Sequence, residues 1–332
     1  MKNHLLDINN LRTYFFTHEG VVKAVDDVSL SVDSGEMVGI VGESGCGKSV
    51  LARSILGLIP DPPGRVVDGQ ISFAGNNLLD FSEKEMQQIR GNEISMIFQE
   101  PMTSLNPVNT VGTQVAEVFR KHQKISKREA IERSIEMLDM VGIPSPASRV
   151  KEYPFQMSGG MRQRIVIAMA LACRPKLILA DEPTTALDVT IQAQILSLIN
   201  NLERELGTSM ILITHDLGVI AEVVARVIVM YAGKLVEQAL VDDLFNRPLH
   251  PYTQGLMWSM PSLAEDQNKD TEPLKEIPGI VPDLGHLPAG CYFSPRCRKR
   301  MEICQHEEPI LVENLPGHWV KCWLYDETKG TT

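Results

Sequence analysis

Met37-Val38-Gly39-Ile40-Val41-Gly42-Glu43-Ser44-Gly45-Cys46-Gly47-Lys48-Ser49 is the stretch on which the fold of this 332-residue chain turns. A short apolar strand runs straight into a G-x-x-x-x-G-K-S loop, and residues 50–58 continue with helical spacing. Strand, loop and helix in that order are the context a phosphate-binding loop requires. The glycines let backbone N–H groups turn inward as an anion-binding nest, and the helix adds its positive N-terminal end. Lys48 is placed to reach the β- and γ-phosphates of a nucleotide, and the Ser49 hydroxyl to ligate Mg2+. Cys46 reads as a small filler of the loop.

Two further apolar runs, residues 177–180 and 210–214, read as buried strands of a parallel sheet covered on both faces. The first ends in Asp181-Glu182-Pro183. A carboxylate at the C-terminal end of such a strand can hold the magnesium shell, which is the role expected of Asp181. Glu182, one residue on, is placed to polarise an attacking water as general base. Residues 191–206 have helical spacing, and Gly207 is placed to end that helix. Lys48 and Asp181 lie 133 positions apart, more than a βαβ unit needs, so a substantial insert is expected between them.

Around this centre the chain is apolar at 43% and charged at 22%, the composition of an ordinary folded protein. The formal net charge of −10 argues against a protein that coats nucleic acid. No run approaches the roughly 20 apolar residues of a membrane-spanning helix, and the start lacks a secretory core. A cytoplasmic protein is therefore expected, held at the membrane by a partner if at all. Residues 5–32 and 70–79 alternate like edge or antiparallel strands, and residues 111–142 read as wholly helical. From residue 245 onward periodicity fades among proline, glycine and charge. These patterns predict an ATPase domain over 1–245, with a helical subdomain at about 100–165, and a C-terminal extension over 246–332. No internal repeat is visible.

The insert contains Met157-Ser158-Gly159-Gly160-Met161-Arg162-Gln163-Arg164, which opens an apolar helix. Ser158 can cap that helix while Gly159 and Gly160 expose backbone donors, a second anion site. Here the chain resembles the ABC ATPase family, whose Ser-Gly-Gly signature binds the γ-phosphate held by a partner subunit. Met157 and Met161 depart from the leucine and glutamine usual there. The resemblance implies an α/β fold: a mostly parallel phosphate-loop core, an antiparallel β subdomain, an inserted helical subdomain and an irregular cysteine-containing tail. It assigns Gln99 to sensing Mg2+ and the attacking water, Asp188 to a loop at the dimer interface, and His215 to the γ-phosphate. It also places an aromatic from Tyr14-Phe15-Phe16, taken as Phe15, on the adenine.

Gln99-Glu100-Pro101-Met102-Thr103-Ser104-Leu105-Asn106-Pro107 and His250-Pro251-Tyr252-Thr253 resemble the oligopeptide/dipeptide importer branch, over almost the whole chain. The resemblance implies ATP and Mg2+ as ligands and hydrolysis coupled to uptake of di- or oligopeptides. Nickel or another small solute is the alternative cargo. It implies a second, different ATPase subunit, two transmembrane permease subunits, an external substrate-binding protein and no nucleic acid. Residues 104–107 are expected to dock a coupling helix of the membrane subunit. A ribosome- or DNA-acting ABC ATPase is the rival class. It is disfavoured by the single ATPase domain, the lack of sustained heptads and the acidic balance.

Four of the six cysteines, Cys291, Cys297, Cys304 and Cys322, crowd into the tail. In a cytosolic chain such a group reads as metal binding before disulfides. By count it suits a 4Fe–4S cluster or zinc. The gaps are wider than the two to four residues usual within zinc pairs, and the family tail carries cluster ligands at these positions.

Overall fold

Period-two alternation and continuous apolar runs sort the strands of this chain into two kinds, and the computed structural model follows that division. It describes residues 4–99, 104–185, 188–259 and 277–326. Strands β1 (Leu6–Thr17), β2 (Gly20–Val32) and β3 (Met37–Val41) are followed by helix α1 (Lys48–Ile55) and strand β4 (Gly64–Phe73). Strand β5 (Asn76–Asn77) and helix α2 (Glu83–Ile89) lead to β6 (Ile94–Ile97). Helices α3 (Val111–Gln123), α4 (Lys127–Met140), α5 (Pro146–Arg149) and α6 (Gly159–Leu171) come next. Then come β7 (Leu177–Asp181), α7 (Val189–Leu206), β8 (Ser209–Ile213) and α8 (Leu217–Val223). The order closes with β9 (Arg226–Tyr231), β10 (Lys234–Leu240), α9 (Val241–Asn246), α10 (Pro251–Trp258), β11 (Val312–Leu315) and β12 (His318–Val320).

The chain forms two compact units. Of the described residues, the first holds 4–5, Val32–Met37 and those from Asn77 to Ile213; the second holds Leu6–Ser31, Val38–Asn76 and those from Thr214 onward. The described part of the segment expected as a C-terminal extension falls in the unit that holds β1 and the phosphate loop.

In the first unit β6, β7 and β8 run parallel, with Ile97 opposite Ala180 and Asp181 opposite Ile213. Every residue of β7 and β8 is buried, as continuous apolar runs require. Residues 111–142, expected as wholly helical, form two helices: Lys124 turns left-handed at φ 52, and Ser126 caps α4 by accepting from the Glu129 amide at 3.2 Å. Apolar spacing carries through that break because both helices bury one face. The break itself is written in Ser126-Lys127-Arg128-Glu129, a capping sequence.

In the second unit β1 pairs antiparallel with β4, Phe15 lying opposite Gly64. Strand β3 runs parallel to β9, and β10 turns back antiparallel on β9. The tail is less irregular than expected, because β12 adds to β10 and β11 to β12. Strands of three and four residues give too few alternations to be read from sequence. Glu237 of β10 holds them in place. Wholly buried, it accepts from the Leu249 and His250 amides at 2.7 and 2.8 Å and pairs with His318 Nε2 at 2.7 Å. A buried carboxylate without such partners would cost several kcal/mol, on the order expected for an unpaired interior charge. Among the described residues no helix is long and apolar enough to cross a membrane.

Candidate nucleotide site

The phosphate loop leaves β3 and enters α1 with Gly47 as N-cap at φ 102. A side chain is excluded there, since a Cβ at Gly47 would stand 2.0 Å from the Ala24 carbonyl oxygen. At Gly42 a Cβ would lie 2.2 Å from the Met230 carbonyl. Lys48 is buried, and its Nζ donates to the Gly42 and Glu43 carbonyls at 2.7 and 3.0 Å. The amine is thus folded over its own loop. Cys46 is buried as the filler expected, and burial pushes its thiol pKa up. Ser44 and Gly45 are exposed, and Ser49 is half-buried at the start of α1.

Glu43 is held from the tail. Arg296 grips its carboxylate with both terminal nitrogens, Nη1 to Oε2 at 2.6 Å and Nη2 to Oε1 at 3.0 Å. The Glu43 amide donates to the Tyr252 hydroxyl at 2.9 Å. The hydrogen bond to Glu43 raises the already high pKa of Arg296, while burial raises that of Tyr252 far above the ordinary phenol range. Neither residue was singled out by spacing. The only sequence signals are the His250-Pro251-Tyr252-Thr253 string and the basic residues around Cys297.

His215 follows β8 and is exposed, in the same unit as the phosphate loop; Asp216 next to it caps α8 by accepting from Gly218 and Val219 amides. Of the aromatics considered for adenine, Tyr14 is committed to Asp26, its hydroxyl donating at 2.6 Å. Asp26 also receives Tyr292 and Lys234, at 2.8 and 3.0 Å. Burial works to raise its pKa, but the Tyr14 hydrogen bond and the Lys234 charge overcome it and hold it at about 2. Phe15 is half-buried against Gly64, whereas Phe16 is exposed with the Arg65 guanidinium 4.6 Å from its ring centre.

The first unit brings together Gln99 and Glu182. Gln99 Nε2 donates to Glu182 Oε2 at 2.9 Å, and Thr185 Oγ1 donates to the same oxygen at 2.9 Å. Glu182 follows β7 at φ 46, a left-handed backbone costly for a side chain of that size. Its amide donates to Ile213 at 2.9 Å, fixing the turn. Asp181 ends β7 and is buried. Thr185 is the member of this group that sequence reasoning passed over.

Ser158 caps α6, its hydroxyl accepting from the Met161 amide at 3.3 Å, as its spacing predicts. Ser158 and Gly159 are exposed at this helix start, while a Cβ at Gly160 would stand 2.9 Å from Ile191. Asp188 accepts from the Ile191 amide at 2.9 Å and so caps α7. Its neighbours Ala186 and Leu187 lie outside the described residues, as do residues 100–103, which precede the expected docking residues 104–107.

The tail cysteines are free thiols. They lie near one another: the Cys291 amide donates to the Cys304 carbonyl at 2.8 Å. Burial lifts the pKa of Cys291 to about 11, and the charges of Cys304 and Cys297 add to it. Cys322 is pushed up to about 12 by burial and by the other three cysteines. Among the described residues no group of three or more His, Cys, Asp or Glu side chains is drawn tightly enough to hold a single metal ion. The four thiols share one region of the tail, with Cys304 buried and the other three half-buried.

This geometry has relatives. The family described as ABC transporter matches residues 25–185, and the oligopeptide/dipeptide transporter C-terminal region matches residues 236–304. The chain is 52% identical to the oligopeptide transport ATP-binding protein AppD of Bacillus subtilis, covering 97% of each chain. Identity to OppD of the same organism, also named an oligopeptide transport ATP-binding protein, is 53% over 96% of this chain and 88% of that one. Among solved structures, a dimer of the ATP-binding cassette MJ0796 with ADP and Pi aligns at TM-score 0.64 and 29% identity. That alignment covers 71% of this chain and 98% of that one. The chain belongs to the ATP-hydrolysing, ATP-binding subunits of oligopeptide/dipeptide ABC transporters.

Proposed function

We propose that this subunit couples ATP hydrolysis to import of di- or oligopeptides through two transmembrane permease subunits, with an external binding protein delivering the cargo. The observation that carries the catalytic part is the orientation of Glu182 by Gln99 and Thr185. A carboxylate held by two neutral donors keeps its direction, as a general base for water requires. Residues 42–49 cradle the phosphates, Lys48 meets the β- and γ-phosphates, and Ser49, Asp181 and Gln99 attend Mg2+. His215 contacts the γ-phosphate, and Phe15 stacks on adenine.

Ser158, Gly159 and Gly160 serve the ATP of a second ATPase subunit, a different chain, and Asp188 lies in the loop that meets it. Closure on ATP and reopening after hydrolysis then drive alternating access at the cytoplasmic face of the membrane. The cassette MJ0796 is dimeric in two solved structures, one with ADP and Pi bound, which supports the paired arrangement.

Cys291, Cys297, Cys304 and Cys322 are proposed to hold a 4Fe–4S cluster, with zinc as the other occupant. Four free thiols in one stretch of tail, with the Cys291 amide bonded to the Cys304 carbonyl, support this. When bound, such a centre supplies the positive charge that lets buried thiols ionise and ties the tail together. Anaerobic purification followed by absorption spectroscopy and iron, sulfide and zinc analysis separates the two.

Peptide transport is tested in a strain lacking the subunit. Complementation with the wild-type gene should restore uptake of labelled di- and tripeptides, and the Glu182→Gln gene should not. Restored nickel uptake without peptide uptake would move the cargo to the alternative.

A further inference from the structure

The phosphate loop is anchored on its far side by the tail. Both handles of Glu43, its carboxylate and its amide, are taken by residues more than two hundred positions away, Arg296 and Tyr252. These partners are themselves fixed. Arg296 is buried, its Nε donates to the Pro278 carbonyl at 2.9 Å, and its guanidinium lies 5.8 Å from the Tyr231 ring centre. Tyr252 is wholly buried, with Tyr231 at 4.6 Å and Phe293 at 5.5 Å between ring centres.

We infer that Arg296 and Tyr252 are positioning residues for nucleotide binding, holding the outer arm of the phosphate loop in its receiving shape and neutralising Glu43. Two consequences of the geometry lead there. The Glu43 carbonyl is one of the two that hold Lys48 Nζ, so displacement of Glu43 displaces the amine expected to meet the phosphates. The Glu43 carboxylate also sits one residue into an anion site, where an uncompensated negative charge repels a triphosphate. A bidentate arginine removes that charge and fixes the residue at once.

The inference rests on residues 42–49 binding the triphosphate, and the experiment separates the two. Affinity for Mg·ATP is measured by equilibrium binding on the purified full chain, with KM and kcat measured alongside on the assembled transporter that contains it. Lys48→Ala is the control for the loop and should abolish binding. Arg296→Gln should weaken Kd and raise KM by about tenfold with kcat kept, because nothing it touches meets the attacking water. The pair Glu43→Gln with Arg296→Gln should recover most of that loss, since the stranded charge is gone. Tyr252→Phe keeps the ring packing and should raise KM by roughly threefold; it carries the test if the arginine variant does not fold.

A fold defect alone would lower kcat with the folded fraction and leave KM unchanged, and the double variant would be worse than either single. Lys48→Ala binding like wild type would overturn the loop reading itself. Normal or tighter Kd in the Arg296 and Tyr252 variants, with Lys48→Ala inactive, would overturn the positioning role alone.

Discussion

At the residue scale the account stands on Glu182 and its two donors. Residue 182 occupies left-handed backbone at φ 46 and is kept there by the Ile213 carbonyl, so its direction is built into the end of β7. Thr185→Val keeps the shape and deletes one donor to Oε2. It should lower kcat about tenfold with KM nearly unchanged, read in steady-state ATPase assays. An unchanged kcat would remove Thr185 from the orienting group. Asp181-Glu182 was legible from sequence because an apolar run ends there. Thr185 was not, since a threonine in a turn carries no spacing signal and its role arises only from the curl of the chain after Pro183.

At the element scale, caps and short strands decide what sequence could and could not reveal. Ser158 at the start of α6 and Gly207 after α7, at φ 63, stood out because cap chemistry is local. Ser158→Ala should cost about 1 kcal/mol of stability, measured by denaturant unfolding without ligand. The hairpin β11–β12 was missed because its partner, β10, lies some eighty residues earlier and its strands are too short to show a period. What holds that region is buried polar chemistry around His250, whose ring nitrogen accepts from the Tyr252 amide at 3.0 Å to start α10. Burial lowers the His250 pKa to about 4, against the opposing pull of Glu237. The folded ring therefore stays neutral while the unfolded one protonates near its ordinary value of about 6.5. Stability from this group is present above that value and is lost as pH falls toward 4, by up to roughly 3 kcal/mol. Thermal unfolding from pH 7.5 to 5 should show the decline, and His250→Asn, which keeps an acceptor, should flatten it. An equal slope in both proteins would place the titration elsewhere.

At the scale of the whole molecule, the proposal makes residues 42–49 a site for one nucleotide and assigns the Ser158-Gly159-Gly160 helix start to the nucleotide of a second subunit. The family was legible early, because two anion-binding helix starts and an acid pair rarely share a chain. What remained hidden was the tail, which joins the phosphate-loop unit through Arg296 and Glu43, a pairing 253 positions long. Long-range polar clasps have no sequence period, so only the folded chain reveals them. The most direct test of the central claim uses Glu182→Gln with the wild-type chain beside it, comparing Mg·ATP binding and single-turnover hydrolysis. The account predicts matched Kd values and hydrolysis at least a hundredfold slower in the variant, on the order of a lost general base. Hydrolysis at the wild-type rate, with ATP bound equally well, would contradict it.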